Sequence, residues 1–366
     1  MALIKIAFVI PTLDQSGAER QLALLAAGLP RSEYEVRVIA LDRGGAYAEV
    51  LGKAGIQVDI LSKRFRLDPL TLFRLRRVLQ EFRPDIVQSF LFAANSYVRF
   101  PGVVPRKTRI VVSERCVDSW KGQWQLTLDR WLAGRTDALT VNSESVGDFY
   151  RQVGVPANLV TVIPNAVVPQ PLLYSRDEAR AQLGIDPSHR VVGFIGRLAP
   201  QKRLRDLIWS FQLLHQIVEN ARLILIGEGP DRYDLERLTE NFGCRSKVIF
   251  AGHRADAAAL VKALDVFVLP SEFEGMSNSL MEAMSEAIAC IVSDIPANLE
   301  LVSHEQTGWT FPIGDCPALT RQLVQVLSDL DTAGKVGKNA STKIRESHDL
   351  QTMIDRHRAL YDRLLQ

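Results

Sequence analysis

Two glutamates eight positions apart, Glu274 and Glu282, stand in the stretch PSEFEGMSNSLMEAM at 270–284. A short apolar run, Val266–Leu269, precedes it and ends at Pro270; a loop carrying Glu274 and Gly275 follows, and from Asn278 to Ala289 the composition turns helical. This layout predicts a strand, a loop and a helix, with one carboxylate in the loop and the other about one turn into the helix. A helix start presents unpaired N–H groups and the positive end of its dipole, which suits a phosphate. Carboxylates accept hydrogen bonds from hydroxyls, so a phosphate flanked by these two acids fits a nucleotide sugar. A second segment carries the matching cations. Val191–Gly196 reads as a buried strand, and GRLAPQK runs on from Gly196 to Lys202. Gly196 lets backbone come close to a ligand. Arg197 and Lys202 bring two positive charges to the mouth of a strand, where open parallel sheets bind their ligands. Cations, helix N–H groups and glycine clearance are what a departing diphosphate requires.

Together these segments resemble family 4 of the retaining glycosyltransferases, whose G-R-x-x-x-x-K segment and E-x7-E signature occur here in the family's order. IPNAV at Ile163–Val167 is similar to that family's IPNGV, and LILIGEGP at 223–230 and VIFAGHR at 248–254 also fit, so the likeness spans nearly the whole chain. The resemblance implies an α/β fold of the GT-B architecture, two Rossmann-like parallel-sheet domains facing across a cleft. It implies transfer of a sugar from a nucleoside-diphosphate sugar to an acceptor hydroxyl with retention, in the synthesis of cell-envelope polysaccharide, lipopolysaccharide or glycolipid. By the same resemblance Arg197, Lys202 and Glu274 are catalytic, Glu274 touching donor-sugar hydroxyls. Glu282 takes the ribose hydroxyls, and the amides of Gly275, Met276 and Ser277 face the diphosphate. Gly196, Gly227 and the backbone of His253 and Arg254 complete the donor site. Gly17, in the loop Pro11–Gly17, approaches the donor phosphates from the first domain; the family often has two adjacent glycines there, where this chain has Ser16 and Gly17. The family commonly has a histidine near the reacting sugar, yet neither VVSERC at 111–116 nor QSFLFAAN at 88–95 contains one. Asn95, Glu114 and Arg115 are the polar residues left there to touch sugar or acceptor. The implied co-substrate is a UDP-sugar, with a GDP-sugar second, and no cofactor or metal is obligatory. A nucleotide-sugar epimerase of the same fold and a non-catalytic nucleotide-sugar-binding protein are the alternatives.

Each residue has a plainer reading. Acids favour helix starts in any case, cations are common in surface loops, and Asp14, Ser16 and Gly17 are ordinary turn formers. The six histidines form no visible metal set. Asp329-Leu330-Asp331 matches a D-x-D metal motif but ends a polar helix-like stretch, Leu319–Leu330, with no strand before it, so chance is the better reading. Four scattered cysteines without a C-x-x-C argue against zinc sites and disulfide frameworks and fit a reducing cytosol. A net charge of +2 makes no case for nucleic acid.

A length of 366 residues exceeds what one core usually serves and predicts two domains. Met1–Ile10 reads as a first strand rather than a signal peptide, and no apolar run reaches the roughly 18–20 residues that span a bilayer. The expected location is the cytoplasm, peripheral at the inner face of the membrane. Strands are expected near Ile4–Ile10, Glu35–Leu41, Gln57–Leu61, Ile86–Phe90, Arg109–Val112 and Ala138–Val141, and in the second half near Val191–Ile195, Arg222–Ile226, Val248–Phe250, Val266–Leu269, Cys290–Val292 and Trp309–Phe311. Their alternation with helical stretches predicts parallel sheets. The proline-rich Ile163–Pro171 is the expected linker between domains 1–168 and 169–349, and the resemblance implies that 350–366 is a helix crossing back to the first domain. Between Lys63 and Arg109, eleven lysines and arginines face only three acids, a local excess of eight. Pro69–Phe82 reads there as an amphipathic helix with Leu72, Leu75, Leu79 and Phe82 near one face. That face either packs on its own sheet, with the arginines solvated, or helps the cations dock an anionic membrane carrying a lipid-linked acceptor; a polyanionic soluble acceptor would explain the cations as well.

Overall fold

The computed structural model describes residues 3–65, 68–117, 122–168 and 173–366. The chain divides into two compact units, Met1–Ala166 with Leu350–Gln366, and Val167–Asp349. Both are Rossmann-like, with parallel strands covered by helices, as continuous Val/Ile/Leu-rich runs demand of strands buried on two faces.

Among the described residues the first unit holds β1 (Ile4–Thr12), β2 (Tyr34–Arg43), β3 (Gln57–Ile60), β4 (Ile86–Phe90), β5 (Arg109–Glu114), β6 (Ala138–Val141) and β7 (Val160–Val162). They form one sheet in the order β3-β2-β1-β4-β5-β6-β7. Successive side chains of a strand point to opposite faces. Ile6, Phe8 and Ile10 therefore pack with the helices Gly17–Gly28 and Leu350–Leu365, through Leu22, Leu25, Met353, Ile354 and Tyr361. Ala7 and Val9 pack on the other side with Pro69–Phe82 and Leu91–Arg99. The apolar face of Pro69–Phe82 is thus a core face, with Leu75, Leu79 and Phe82 buried. Asp68 caps that helix by accepting from the Leu70 and Thr71 amides.

The second unit holds β8 (Arg190–Ile195), β9 (Ala221–Ile226), β10 (Val248–Gly252), β11 (Val266–Leu269), β12 (Ala289–Ser293) and β13 (Trp309–Phe311), in the order β10-β9-β8-β11-β12-β13. The chain steps from β8 outward to β10, then returns to β8's other side as β11. The gap between β8 and β11 is the switch point at which such sheets bind ligands.

The linker region proves more ordered than its prolines suggested. Gln21, buried in the helix Gly17–Gly28, donates to the Ala166 carbonyl at 2.8 Å and accepts from its amide at 2.9 Å. The Val167 amide donates to the His348 carbonyl. Pro169–Pro171 of the expected linker, and Arg66 of the basic region, lie outside the described residues. The helix expected to reach Ala289 stops at Ser285: Ala287 adopts a φ of 57°, and β12 begins at Ala289. An 18-residue helix, Leu330–Ser347, went unforeseen. Asp329 is its N-cap, accepting from the Thr332 amide, so the D-x-D sequence is helix-start chemistry.

Candidate functional site

In the second unit the sequence-predicted residues gather at the carboxyl ends of the strands. Arg197 and Lys202 follow β8, and Glu274–Ser277 follow β11, on the two sides of the switch point. The two loops are tied directly. The Glu272 amide donates to the Gln201 carbonyl at 2.9 Å, and the Gln201 side-chain amide donates to the Phe273 carbonyl at 2.6 Å. These bonds bring the Lys202 ammonium against the Glu274 carboxylate, the two side chains being 16% and 8% exposed. Gln201, which the sequence reading passed over, is therefore the residue that sets this geometry. Arg197 is exposed, and among the described residues of its unit it pairs with no carboxylate. The helix Asn278–Ser285 begins at Ser277, whose hydroxyl accepts from the Leu280 amide at 3.3 Å. Gly275, Met276 and Ser277 are buried at that start, and Glu282 is buried inside the first turns. From below, the Ser293 hydroxyl donates to the Ser271 carbonyl and holds the loop to β12.

Glycines close the other side. Gly196 and Gly227 both have backbone angles that L side chains rarely adopt, φ 155° and φ 138°. A Cβ on Gly227 would stand 1.9 Å from the Gly196 carbonyl oxygen, and one on Gly229 would stand 2.1 Å from that of Leu198. The loops after β8, β9 and β10 are stitched by backbone: Leu198 N–H to Glu228 O, Asp231 N–H to Leu198 O, Gly227 N–H to Gly252 O. Gly229 is a further member that the sequence offered in GEGP. His253 is exposed beyond β10. The Arg254 guanidinium is engaged by Asp256 through two hydrogen bonds of 2.8 Å, which holds that carboxyl down at about 2, and Tyr174 donates to the same acid. Asp256 thus occupies the Nε and Nη2 of Arg254.

The first unit brings its three candidates together at the ends of β4 and β5. Asn95 is fully buried; its side-chain nitrogen donates to the Ser113 carbonyl and to Glu114, and its oxygen accepts from the Ser89 hydroxyl. Glu114 also lines a small pocket with Arg99 and Asp129, an ion pair buried between two helices. Arg115, in contrast, lies over the Phe90 ring, its guanidinium carbon 5.7 Å from the centroid. Burial lowers its pKa to about 10. A histidine is present nearby after all. His357, on the helix Leu350–Leu365, is buried, shares a hydrogen bond with the Met353 carbonyl, and is held down at about 4 by burial and, less strongly, by Arg115. It was invisible to the sequence reading because it lies more than 240 residues after Arg115. Gly17 opens the helix after β1. Against the same loop, a Cβ on Gly45 would stand 2.4 Å from the Leu13 carbonyl oxygen.

Known proteins share this fold. Residues 15–170 match the family model described as Glycosyltransferase Family 4, and residues 175–343 that of Glycosyl transferases group 1. An N-acetyl-alpha-D-glucosaminyl L-malate synthase of Bacillus anthracis is 24% identical over 62% of this chain and 60% of that one. A UDP-Gal:alpha-D-GlcNAc-diphosphoundecaprenol alpha-1,3-galactosyltransferase of Escherichia coli is 26% identical over 98% of this chain and 96% of that one. The crystal structure of HepE from Anabaena with UDP-glucose superposes with a TM-score of 0.87 at 23% identity, covering 98% of this chain and all of that one. Two family domains in succession over most of the chain, on a shared two-unit fold, make this protein a family 4 glycosyltransferase of the GT-B fold.

Proposed function

We propose that the protein transfers a sugar from a UDP-sugar to a hydroxyl of an envelope-type acceptor, lipid-linked in the first instance, with the anomeric configuration retained. The observation that carries this is the Lys202–Glu274 pair at the switch point, beside the glycine floor and the buried helix start. A cation and a carboxylate held together there can part to receive a sugar diphosphate, the ammonium taking phosphate and the carboxylate taking hydroxyls. Support for UDP comes from the UDP-glucose bound to the Anabaena protein, and support for a diphospholipid acceptor from the name of the Escherichia coli enzyme.

In the reaction the bond between the anomeric carbon and the diphosphate breaks, and the acceptor oxygen bonds that carbon on the same face. The proton of the acceptor hydroxyl passes to the departing phosphate, so no enzymatic base is required. Arg197, Lys202 and the amides of Gly275, Met276 and Ser277 stabilise the charge growing on the diphosphate, where one such donor is worth ~10²–10³ in rate. Glu274 orients the sugar and Glu282 the ribose. Neither charge stabilisation nor proton transfer calls for a metal. Among the described residues no helix is long and apolar enough to cross a membrane, and the basic outer surface of the first unit would hold the protein at an anionic one.

Thermal unfolding with UDP-, GDP- and ADP-sugars, each with magnesium and with EDTA, tests the donor site. A ligand at about 100 times its Kd adds roughly 2.7 kcal/mol. Stabilisation by UDP-sugars that survives EDTA is the expected result; no response to any UDP-sugar would remove the reading. Conversion of the donor sugar to its epimer without acceptor, followed by NMR, would point to an epimerase instead.

A further inference from the structure

The strand ends of β4, β5 and β6 adjoin on the carboxyl edge of the first sheet. Directly after β4, Leu91 has a φ of 69°, a left-handed backbone that a leucine rarely adopts and that clusters at functional sites. Directly after β5, Arg115 lies over Phe90, its Nε sealed from solvent with no hydrogen-bond partner. Directly after β6, Asn142 is 1% exposed. Its side-chain nitrogen donates to the Arg115 carbonyl at 3.2 Å, and its Oδ1 is sealed and without a partner. Among the described residues no carboxylate forms an ion pair with Arg115; burial alone depresses it.

These groups are costly as they stand. A guanidinium nitrogen sealed from water without a partner is unfavourable, and so is an unpaired buried amide oxygen. Stacking of Arg115 on Phe90 satisfies neither the sealed Nε nor the Asn142 oxygen. Groups left incomplete at one edge, on three adjoining strand ends, are completed by a ligand. Their chemistry is specific. A guanidinium fork matches an oxyanion. An unpaired amide oxygen requires a donor, such as a hydroxyl. His357 beside them is neutral near pH 7 and adds no second charge.

We propose that Arg115 and Asn142 form the acceptor's anion subsite: Arg115 grips an oxyanion of the acceptor, phosphate or carboxylate, and Asn142 Oδ1 takes a hydrogen bond from a neighbouring acceptor hydroxyl. The assignment to acceptor rather than donor rests on the function proposed above, in which Arg197 and Lys202 of the second unit serve the donor diphosphate.

The test uses the full chain saturated with UDP, so that the donor site is filled, and titrates it by calorimetry with glucose 1-phosphate or with L-malate. Binding of either is expected, the arm that binds naming the oxyanion. Arg115→Met should weaken it at least tenfold, with Arg115→Lys recovering part, and Asn142→Ala should weaken it about fivefold. Unfolding of the ligand-free variants separates a binding from a packing role. Removing a charge that no described carboxylate pairs should leave the Tm of Arg115→Met equal to or above that of the parent. Binding of neither anion, undiminished binding to Arg115→Met, or a Tm several degrees lower would each overturn the proposal. Weakened UDP binding in Arg115→Met would assign the guanidinium to the donor and overturn it as well. Failure of the parent protein to bind UDP at all would strike the proposed function instead.

Discussion

Lys202 and Glu274 are 72 positions apart and meet only because Gln201 and Glu272 tie their loops. The two residue types were legible in their motifs, since a glycine and two cations after a strand, and an acid before a helix, each state a chemistry. Their pairing was not legible, because spacing in sequence carries no information on which loops of a sheet adjoin. The pair makes a residue-scale prediction. Lys202→Ala leaves a nearly buried carboxylate unpaired, and removing one partner of a buried pair costs about 3–5 kcal/mol. Lys202→Met with Glu274→Leu removes both charges and should cost less than either single change. A double-mutant cycle on the second unit's unfolding transition should therefore show coupling of more than about 1 kcal/mol, while turnover is lost in all three variants. Additive costs would mean that the pair is a surface contact without consequence. Arg254 is a related case. The sequence reading gave only its backbone to the donor site, and Asp256 two positions on holds its guanidinium.

At the scale of elements, long apolar runs were read correctly because a strand buried on both faces has to be apolar throughout; β1, β8 and β11 are of this kind. What escaped was short or weakly marked. The strand β7 has three residues, none of them fully buried, so no core run marks it. The helix Leu330–Ser347 buries Val336 and Ile344 among the small residues Ala333, Gly337, Ala340 and Ser341, too few large apolar side chains for the reading to single it out. The loop stitching after β8, β9 and β10 was foreseen only as glycine content. Its geometry gives a prediction. Gly227→Ala sets a methyl 1.9 Å from the Gly196 carbonyl oxygen at a φ of 138°, and neither backbone can yield without breaking the bonds between these loops. The loops should part, with nucleotide affinity falling at least tenfold and the second unit's unfolding midpoint dropping, while the first unit's transition is unchanged. Retained nucleotide affinity would show that the glycine floor does not shape the donor site.

At the scale of the molecule, charge is the asymmetry that remains to be explained. The basic excess between Lys63 and Arg109 is not all outward: Arg99 is buried against Asp129, and Arg74 donates to the Leu61 carbonyl. The apolar side of Pro69–Phe82 is used up in the core. What faces outward is a different set. The helices Pro69–Phe82, Leu91–Arg99 and Gln123–Ala133 lie in a row, the last two joined by the Arg99–Asp129 pair and by Phe92 against Trp124. On these helices Phe73 is 64%, Trp124 58% and Trp131 64% exposed, and the cations Arg76, Arg77 and Arg130 are exposed as well. Tryptophans at seven-residue spacing share one side of a helix, and aromatics ringed by cations are the composition of a surface that settles into the headgroup layer. Each cation near an anionic bilayer adds about 1 kcal/mol, screened by salt. Vesicles rich in phosphatidylglycerol should therefore bind the protein at low salt, release it as salt rises, and hold a Trp124→Ser, Trp131→Ser variant several-fold more weakly, whereas phosphatidylcholine vesicles should not bind it. The variant should keep its turnover on a water-soluble acceptor, because neither tryptophan belongs to the proposed site. Steep salt dependence with no effect of the tryptophans would reduce the contact to charge alone, and absence of binding at any salt concentration would exclude the bilayer as the partner of this surface.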